Sequence, residues 1–319
     1  MLLSRNVAAT LSVALTVLGA SVVLAQDYPS KPIRIITSGV GGGSDFDSRQ
    51  IAQGISCPLG QPVVVENRTA ILAAELVSKA PPDGYTLTVS GGAVWNSTLF
   101  RKMNYDVIND FAPVTLIERT VNIVAVHPSL PVKTIKELIA LAKARPAELN
   151  YGSTGAGSGQ HMGTELFKSL AGVNIVHVPY KSSGQAVPAL ISGEVQVLIY
   201  DSGVLAPHAK SGKLRALAVT SAQPSALTPG LPTVAASGLP GYETESISGL
   251  FAPAKTPAAI VSRLNQEIVR FLNLPEVKER FLNAQVEIVA SAPEQFAAAV
   301  KSELAKWVKV IKDAGIKVE

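Results

Sequence analysis

Cysteine is almost missing from this chain: Cys57 is the single one in 319 residues. That excludes a disulfide scaffold and any metal site built on clustered thiolates. Charge is scarce too. Asp, Glu, Lys and Arg make up 16% of the sequence, and 28 basic residues against 24 acidic ones leave a net charge of +4. The excess is scattered rather than gathered in a tract, which excludes nucleic acid as an expected partner. With 47% hydrophobic residues and so little charge, the chain is not of the disordered class. Its length fits two domains or one large one, and a chain near 300 residues buries roughly 75% of its unfolded surface. Long apolar runs are missing beyond the first 25 residues, so no later segment should span a bilayer.

The chain starts with the pattern of an export signal. Met1–Asn6 carries Arg5 and no acid, Val7–Leu18 is apolar, and Gly19–Ala25 is rich in small residues before the polar Gln26 and Asp27. This predicts a secretory signal over residues 1–25, cleaved after Ala25, and a soluble product in the periplasm. The alternative is an uncleaved anchor, since Val7–Ala25 reaches the lower limit of about 17–20 residues for a span. No cysteine follows the cut, which argues against a lipid anchor there. In an oxidising compartment Cys57 has no internal partner for a disulfide.

After the signal, strands alternate with helices. Lys31–Thr37, Pro62–Asn67 and Tyr85–Val89 read as strands, with helical spacing over Phe46–Ile55 and Ile71–Lys79. Phe111–Val126 is a long β-prone run. Thr134–Ala144 reads as a helix with Thr134 as N-cap and Glu137 three residues on. Asn174–Val178, Val195–Tyr200, Leu214–Thr220 and Gly249–Pro253 are further strands. Gln160–Leu170, Pro257–Leu272, Pro275–Ala284 and Pro293–Ala314 are further helices. Gln223–Glu243 reads as a connection. Ile260, Leu264, Ile268 and Leu272 form an apolar core stripe, and Lys301–Lys312 a solvated face. The alternation predicts an α/β protein with a mainly parallel sheet covered on both faces.

Two strand–loop–helix units carry glycine-rich loops, Ser38–Asp45 and Ser153–Gly159. Such a loop aims backbone N–H groups and a helix N-terminus at one spot, an anion site that needs no lysine or arginine. Ligands of open α/β sheets sit off the carboxyl ends of the strands. Two such loops facing each other across a hinge would clamp a small anion. Trp95 and Asn96 follow a strand end and are placed at the floor of such a cleft.

The stretches Tyr28–Arg34, Gly41–Asp45, Leu59–Arg68, Ala80–Leu87 and Asp110–Val114, then Leu149–Ser153, His177–Lys181, Gly212–Thr220 and Gly238–Glu243, carry a resemblance by their order and spacing. Along nearly the whole mature length the sequence resembles the substrate-binding component of tripartite tricarboxylate transporters, the Bordetella uptake gene family. The resemblance implies a type II periplasmic-binding fold, α/β, with two lobes around a hinge and a central cleft. It sets lobe 1 at residues 26–123 and 247–319 and lobe 2 at 124–246. It implies a monomer that captures a small carboxylic acid and delivers it to membrane transporter subunits, with no enzymatic activity, cofactor or metal.

Ligand contacts carry over to Ser38, Gly41, Gly42, Gly43, Ser44 and Asp45 on the first lobe. On the second they carry over to the stretch Ser153–Gln160, with Ser153, Thr154, Gly155, Ser158, Gly159 and Gln160 foremost, and to Tyr180, Lys181, Ser182, Ser183 and Gly184. Asp201 matches an acidic position that would select a ligand ammonium or hydroxyl. Two stretches depart from the family pattern. Thr69-Ala70-Ile71-Leu72 stands where a proline and a glycine-rich loop are expected, so a wall of the cleft should be altered. Thr37-Ser38-Gly39-Val40 replaces aromatic or proline-containing residues.

Competing motifs fit less well. The Gly39–Ser44 loop lacks the third glycine of a dinucleotide fingerprint, and Glu66 lies further along than the expected spacing of about 20 residues. Ser153–Gln160 is not a P-loop, because no Gly-Lys-Ser/Thr follows. Ala156 stands where a nucleophile elbow around Ser158 needs glycine. His161 and Glu165 share a helix face but lack a third metal ligand, and His161 is expected at the mouth of the cleft. His127, His177 and His208 fall at strand ends and loops. Two functional rivals remain: a periplasmic ligand sensor that presents its closed form to a membrane receptor, and an exported hydrolase, for which no local pattern joins Ser, His and Asp.

Overall fold

A computed structural model describes residues 28–225 and 227–314. The export signal over Met1–Ala25 lies outside the described residues. Lobe 1 begins with β1 (Ile33–Thr37), which buries Ile33, Ile35 and Ile36 and leaves Arg34 exposed. It pairs in parallel with β2 (Val63–Asn67) and β3 (Thr86–Gly91). Helix α1 (Gly43–Leu59) joins β1 to β2 and ends on Gly60 in the left-handed conformation, the usual glycine stop. Helix α2 (Ala70–Ser78) joins β2 to β3 and is capped by Thr69, whose side chain accepts from the Leu72 N–H. The short α3 (Gly92–Asn96) and a 3-10 turn at Ser97–Leu99 follow β3.

The long run Phe111–Val126 is one strand, β4, and it belongs to both lobes. Its Phe111–Val121 part pairs with β9 (Glu245–Pro253), and its Asn122–Val126 part pairs with β7 (Val197–Asp201). Both pairings are antiparallel, as are β3 with β9 and β4 with β8 (Arg215–Val219). The parallel sheets expected from the alternation therefore exist as two separate halves. Antiparallel β4 and β9 join them into one curled sheet of order β2-β1-β3-β9-β4-β7-β5-β6. In the second half β5 (Asn150–Ser153) pairs in parallel with β6 (Val176–Pro179) and β7.

Helices cover both faces of each half. On lobe 1, Ile51 and Ile55 of α1 pack with Ile33, Ile35, Leu250 and α8 (Ala258–Leu272) residues Leu264 and Ile268. Phe281 of α9 (Pro275–Asn283) joins them. The opposite face holds Trp95, Phe251, Phe296 and Val300. On lobe 2, α4 (Ile135–Ala144) and α5 (Gly159–Ala171) cover one face, and α6 (Ser183–Ser192) and α7 (Ser202–Lys210) the other. The last helix, α10 (Pro293–Ala314), follows the two-residue β10 (Glu287–Ile288) and crosses from one lobe to the other. Phe296 and Val300 sit in the lobe 1 core, whereas Trp307 sits in the lobe 2 core. Within Lys301–Lys312 the charged side faces solvent, and Trp307 is buried on the other. Among the described residues no helix is long and apolar enough to cross a membrane.

Candidate ligand-binding cleft

The carboxyl ends of β1, β3, β5, β6 and β7 all face one cavity of about 480 Å3 between the lobes. Five helices of eight residues or more begin at its wall: α1, α2, α5, α6 and α7. The first N–H groups of a helix have no intrahelical acceptor, and the helix dipole adds positive potential there. Gly42, Ser182 and Asp201 cap α1, α6 and α7 without any side-chain hydrogen bond. The leading residues of α1 and α6, Gly43, Ser44 and Ser183, line the cavity, so their N–H groups remain available to an anion. Helices α2 and α5 differ, because their N-caps Thr69 and Ser158 accept from Leu72 N at 3.4 Å and His161 N at 3.3 Å.

The first loop is held from behind. Thr37 donates to Ser44 O and Val89 O, both at 3.0 Å. Asn67 Nδ2 donates to Ser38 O at 2.7 Å and to Asp45 Oδ1 at 2.8 Å. Asp45 also accepts from Gly41 N at 3.1 Å and pairs with Arg49 at 3.0 Å. Burial works against the Asp45 charge, but the bonds from Asn67, Arg49 and the Gly41 N–H outweigh it and hold the carboxyl below its usual range.

The second loop has a similar support. Ser153 Oγ lies 2.6 Å from His177 Nε2 and accepts from Gly155 N at 3.0 Å. Thr154 donates to Gln160 Oε1 at 2.8 Å. Gly157 N donates to His161 Nδ1 at 3.2 Å. Burial, and then His177 beside it, push His161 down to about 4, so it is neutral and free to accept that bond.

Of the residues expected at the site, Ser38, Gly42, Gly43, Ser44 and Asn96 line the cavity from lobe 1. Thr154, Gly155, Ser158, Gly159, Gln160, Tyr180, Lys181 and Asp201 line it from lobe 2. Gly41, Asp45, Ser153 and Gly184 are not on the wall: Asp45 and Ser153 are buried, whereas Gly41 and Gly184 are exposed. His161 is not at the mouth either; it is buried under the second loop. Thr69–Leu72, the stretch that departs from the family pattern, forms part of the wall. The fold does join a serine to a histidine, Ser153 to His177. Ser153, however, is fully buried and off the cavity wall, with its oxygen occupied by the loop.

Sequence reasoning missed Glu118. It lines the cavity from the middle of β4 and is 4% exposed. A charged residue inside the apolar run Leu116–Val126 was the available signal. Glu118 meets Asp47 of α1 and Asp201 of β7 under the first loop: a Cβ added to Gly43 would lie 3.5 Å from Asp201 Oδ2 and 3.6 Å from Glu118 Oε1. Burial, then the charges of Asp47 and Asp201, raise Glu118 well above the usual carboxyl range. Burial raises Asp47 to about 7, with Asp201 adding to it, and burial raises Asp201 to about 6. Also missed were Ser90–Gly92, Ser246 and Ser248, small or hydroxyl residues of the wall.

With this geometry in place, comparison with known proteins is decisive. Residues 48–316 match the model of the tripartite tricarboxylate transporter family receptor. The chain belongs to this family. BugT of Bordetella pertussis is 33% identical over 307 residues, covering 94% of this chain and 94% of its own length. A UPF0065 protein of Pseudomonas sp. strain P51 is 34% identical over 96% of this chain and 93% of its own. Among solved structures, Rpa4515 of R. palustris with adipate superposes with a TM-score of 0.87 at 37% identity, covering 91% of this chain and 99% of that one. MatC of Rhodopseudomonas palustris with bound malate gives a TM-score of 0.85 at 29% identity, covering 89% and 100%. The chain thus shares the periplasmic-binding fold of these receptors, two α/β lobes around a cleft.

Proposed function

We propose that the cleft takes a small organic acid as its carboxylate, closes over it, and presents the closed form to the membrane subunits of a tripartite tricarboxylate-type transporter. The protein does this as a monomer in the periplasm, after removal of residues 1–25. The observation that carries the reading is the convergence of five helix N-termini, three of them uncapped by side chains, on one cavity between lobes. No lysine or arginine is needed where so many N–H groups point at one place. The adipate and malate of the two superposed receptors support the ligand class.

In this reading lobe 1 comprises residues 26–123 and 247–319, lobe 2 residues 124–246. The carboxylate lies against the N–H groups of Gly42, Gly43 and Ser44 on one side and Gly159, Gln160 and Ser183 on the other. Ser38, Asn96, Thr154, Gly155, Ser158, Tyr180, Lys181 and Asp201 complete the wall. Gly41, Asp45, Ser153 and Gly184 act through the loops they support. A bound anion that bridges both lobes favours the closed state by its differential affinity, and exclusion of water strengthens each contact. Isothermal titration with acetate, succinate, adipate, malate and citrate tests the reading. At least one should bind saturably, and a blank panel would refute it.

A further inference from the structure

The wall beneath the first anion loop is acidic, which is the wrong sign for an anion site. Asp47, Glu118 and Asp201 come from three elements, α1, β4 and the end of β7, and so from both sides of the hinge. Asp47 is fully buried and Glu118 nearly so, while Asp201 is partly open to the cavity. Ser248 and Glu118 stand beside Asp47, and Ser246 beside Asp201, but neither Asp47 oxygen, nor Glu118 Oε2, nor Asp201 Oδ1 has a hydrogen bond of good geometry. Thr120 donates to Glu118 Oε1 at 3.2 Å. Buried carboxyls with so few good donors and no cation beside them are costly as anions and favourable as neutral acids.

The surrounding charges do not relieve them. The cations of the neighbouring strand and helix are engaged elsewhere, Arg119 with Glu245 of β9 and Arg49 with Asp45. Tyr200 of β7 feels the charges of both Asp201 and Glu118 and is itself raised, first by burial and then by the Asp201 charge, so it stays neutral. Lys181 lines the cavity from the β6–α6 loop but is exposed, and Arg101, Glu75 and Glu303 line it as well. Independent signs that the wall awaits a polar ligand are Trp95 Nε1 and Asn96 Oδ1. Both are buried and without a hydrogen-bond partner, on residues that line the same cavity.

We propose that the ligand carboxylate binds together with a proton, taken up by the Asp47–Glu118–Asp201 cluster as the anion settles on the loop above it. This rests on the reading of the cleft as a carboxylate site. In the empty cleft the Asp201 carboxylate sits under the positive end of α1 and acts as an internal counter-ion. An incoming anion at Gly42–Gly43 takes that role and repels the negative charge behind it. The bound state then holds more protons than the empty one, so affinity falls as pH rises through the range where Asp201 and Asp47 titrate, near 6 and 7.

The experiment is titration calorimetry of the full mature chain with acetate, succinate, adipate, malate and citrate. Each is run at pH 6.5, 7.5 and 8.5 in buffers of different ionisation enthalpy, which counts protons directly. Each acid that binds should take up about half to one proton near pH 7, and its affinity should fall roughly three- to tenfold from pH 6.5 to 7.5. In the Asp47→Asn, Asp201→Asn double variant the uptake should drop below about a quarter of a proton, whatever happens to affinity. An acid that binds the wild type with no proton uptake overturns this inference and leaves the carboxylate site standing. No binding by any of the five at any pH overturns both.

Discussion

Gly157 and Ser97 meet across one mouth of the cleft at a distance that only glycine permits. A Cβ at position 157 would stand 2.6 Å from Ser97 N, and Ser97 Oγ donates to the neighbouring Ala156 O at 3.0 Å. At the other mouth a Cβ on Gly39 would come 2.8 Å from the Cβ of Ser182. The lobes therefore touch at both ends of the cavity, and this is a closed conformation. Small residues in these loops serve the closing distance as much as the ligand.

Gly157→Ala should hold the lobes apart. The substitution also meets a backbone of φ +80, which costs about 1–2 kcal/mol by itself. Gly172→Ala provides the control, since φ is +62 there and a Cβ would meet nothing within 4 Å. Both variants should lose similar thermal stability. Only Gly157→Ala should also weaken carboxylate binding, by about tenfold or more if closure contributes at least 1.4 kcal/mol. Calorimetry on the two variants side by side checks this.

Asp45 should act on the loop and not on the ligand. Asp45→Ala removes the acceptor that gathers Gly41, Arg49 and Asn67, at a cost of about 1.5–3 kcal/mol for bonds to a charged group. Affinity for every carboxylate should fall by a common factor, with the order of preference unchanged. A change in that order would place Asp45 against the ligand. Because its folded pKa is depressed, its stabilisation is present above about pH 4 and is lost as pH falls through the folded value.

The buried carboxyls act with the opposite sign. Asp47, Glu118 and Asp201 are raised in the fold, so between about pH 4 and 7 the folded chain binds more protons than the unfolded one. Their contribution to stability is fullest at the acid end and is lost as pH rises. The ligand-free protein should melt several degrees higher at pH 5.5 than at pH 8. Glu118→Gln should flatten that dependence and raise the melting temperature at pH 8. A wild-type protein that melts higher at pH 8 would contradict the assignment of protons to this cluster.

Much of this fold was legible because its signals are local. The Phe111–Val126 run appears as a single strand, and the α8 stripe buries Leu264, Ile268 and Leu272. Thr134 caps α4 by accepting from Glu137 N at 3.2 Å. Helix α1 starts at Gly43, ahead of the Phe46 suggested by periodicity, because glycines leave no apolar spacing to read. Helices α6 and α7 carry Pro188 and Pro207 inside them and begin in serine- and glycine-rich turns, so their patterns read as loops. The two anion loops were legible as glycine-rich stretches after strands. The carboxyl cluster was not, since Asp47, Glu118 and Asp201 lie far apart in the chain and only the crossing of β4 between lobes unites them.

Backbone amide NMR during titration with adipate, or with whichever acid of the panel binds most tightly, tests the clamp most directly. The amides of Gly42, Gly43 and Ser44 should move in the same saturable step as those of Gly159, Gln160 and Ser183. Saturable shifts confined to one loop, or gathered away from both, would contradict a carboxylate held between the two lobes.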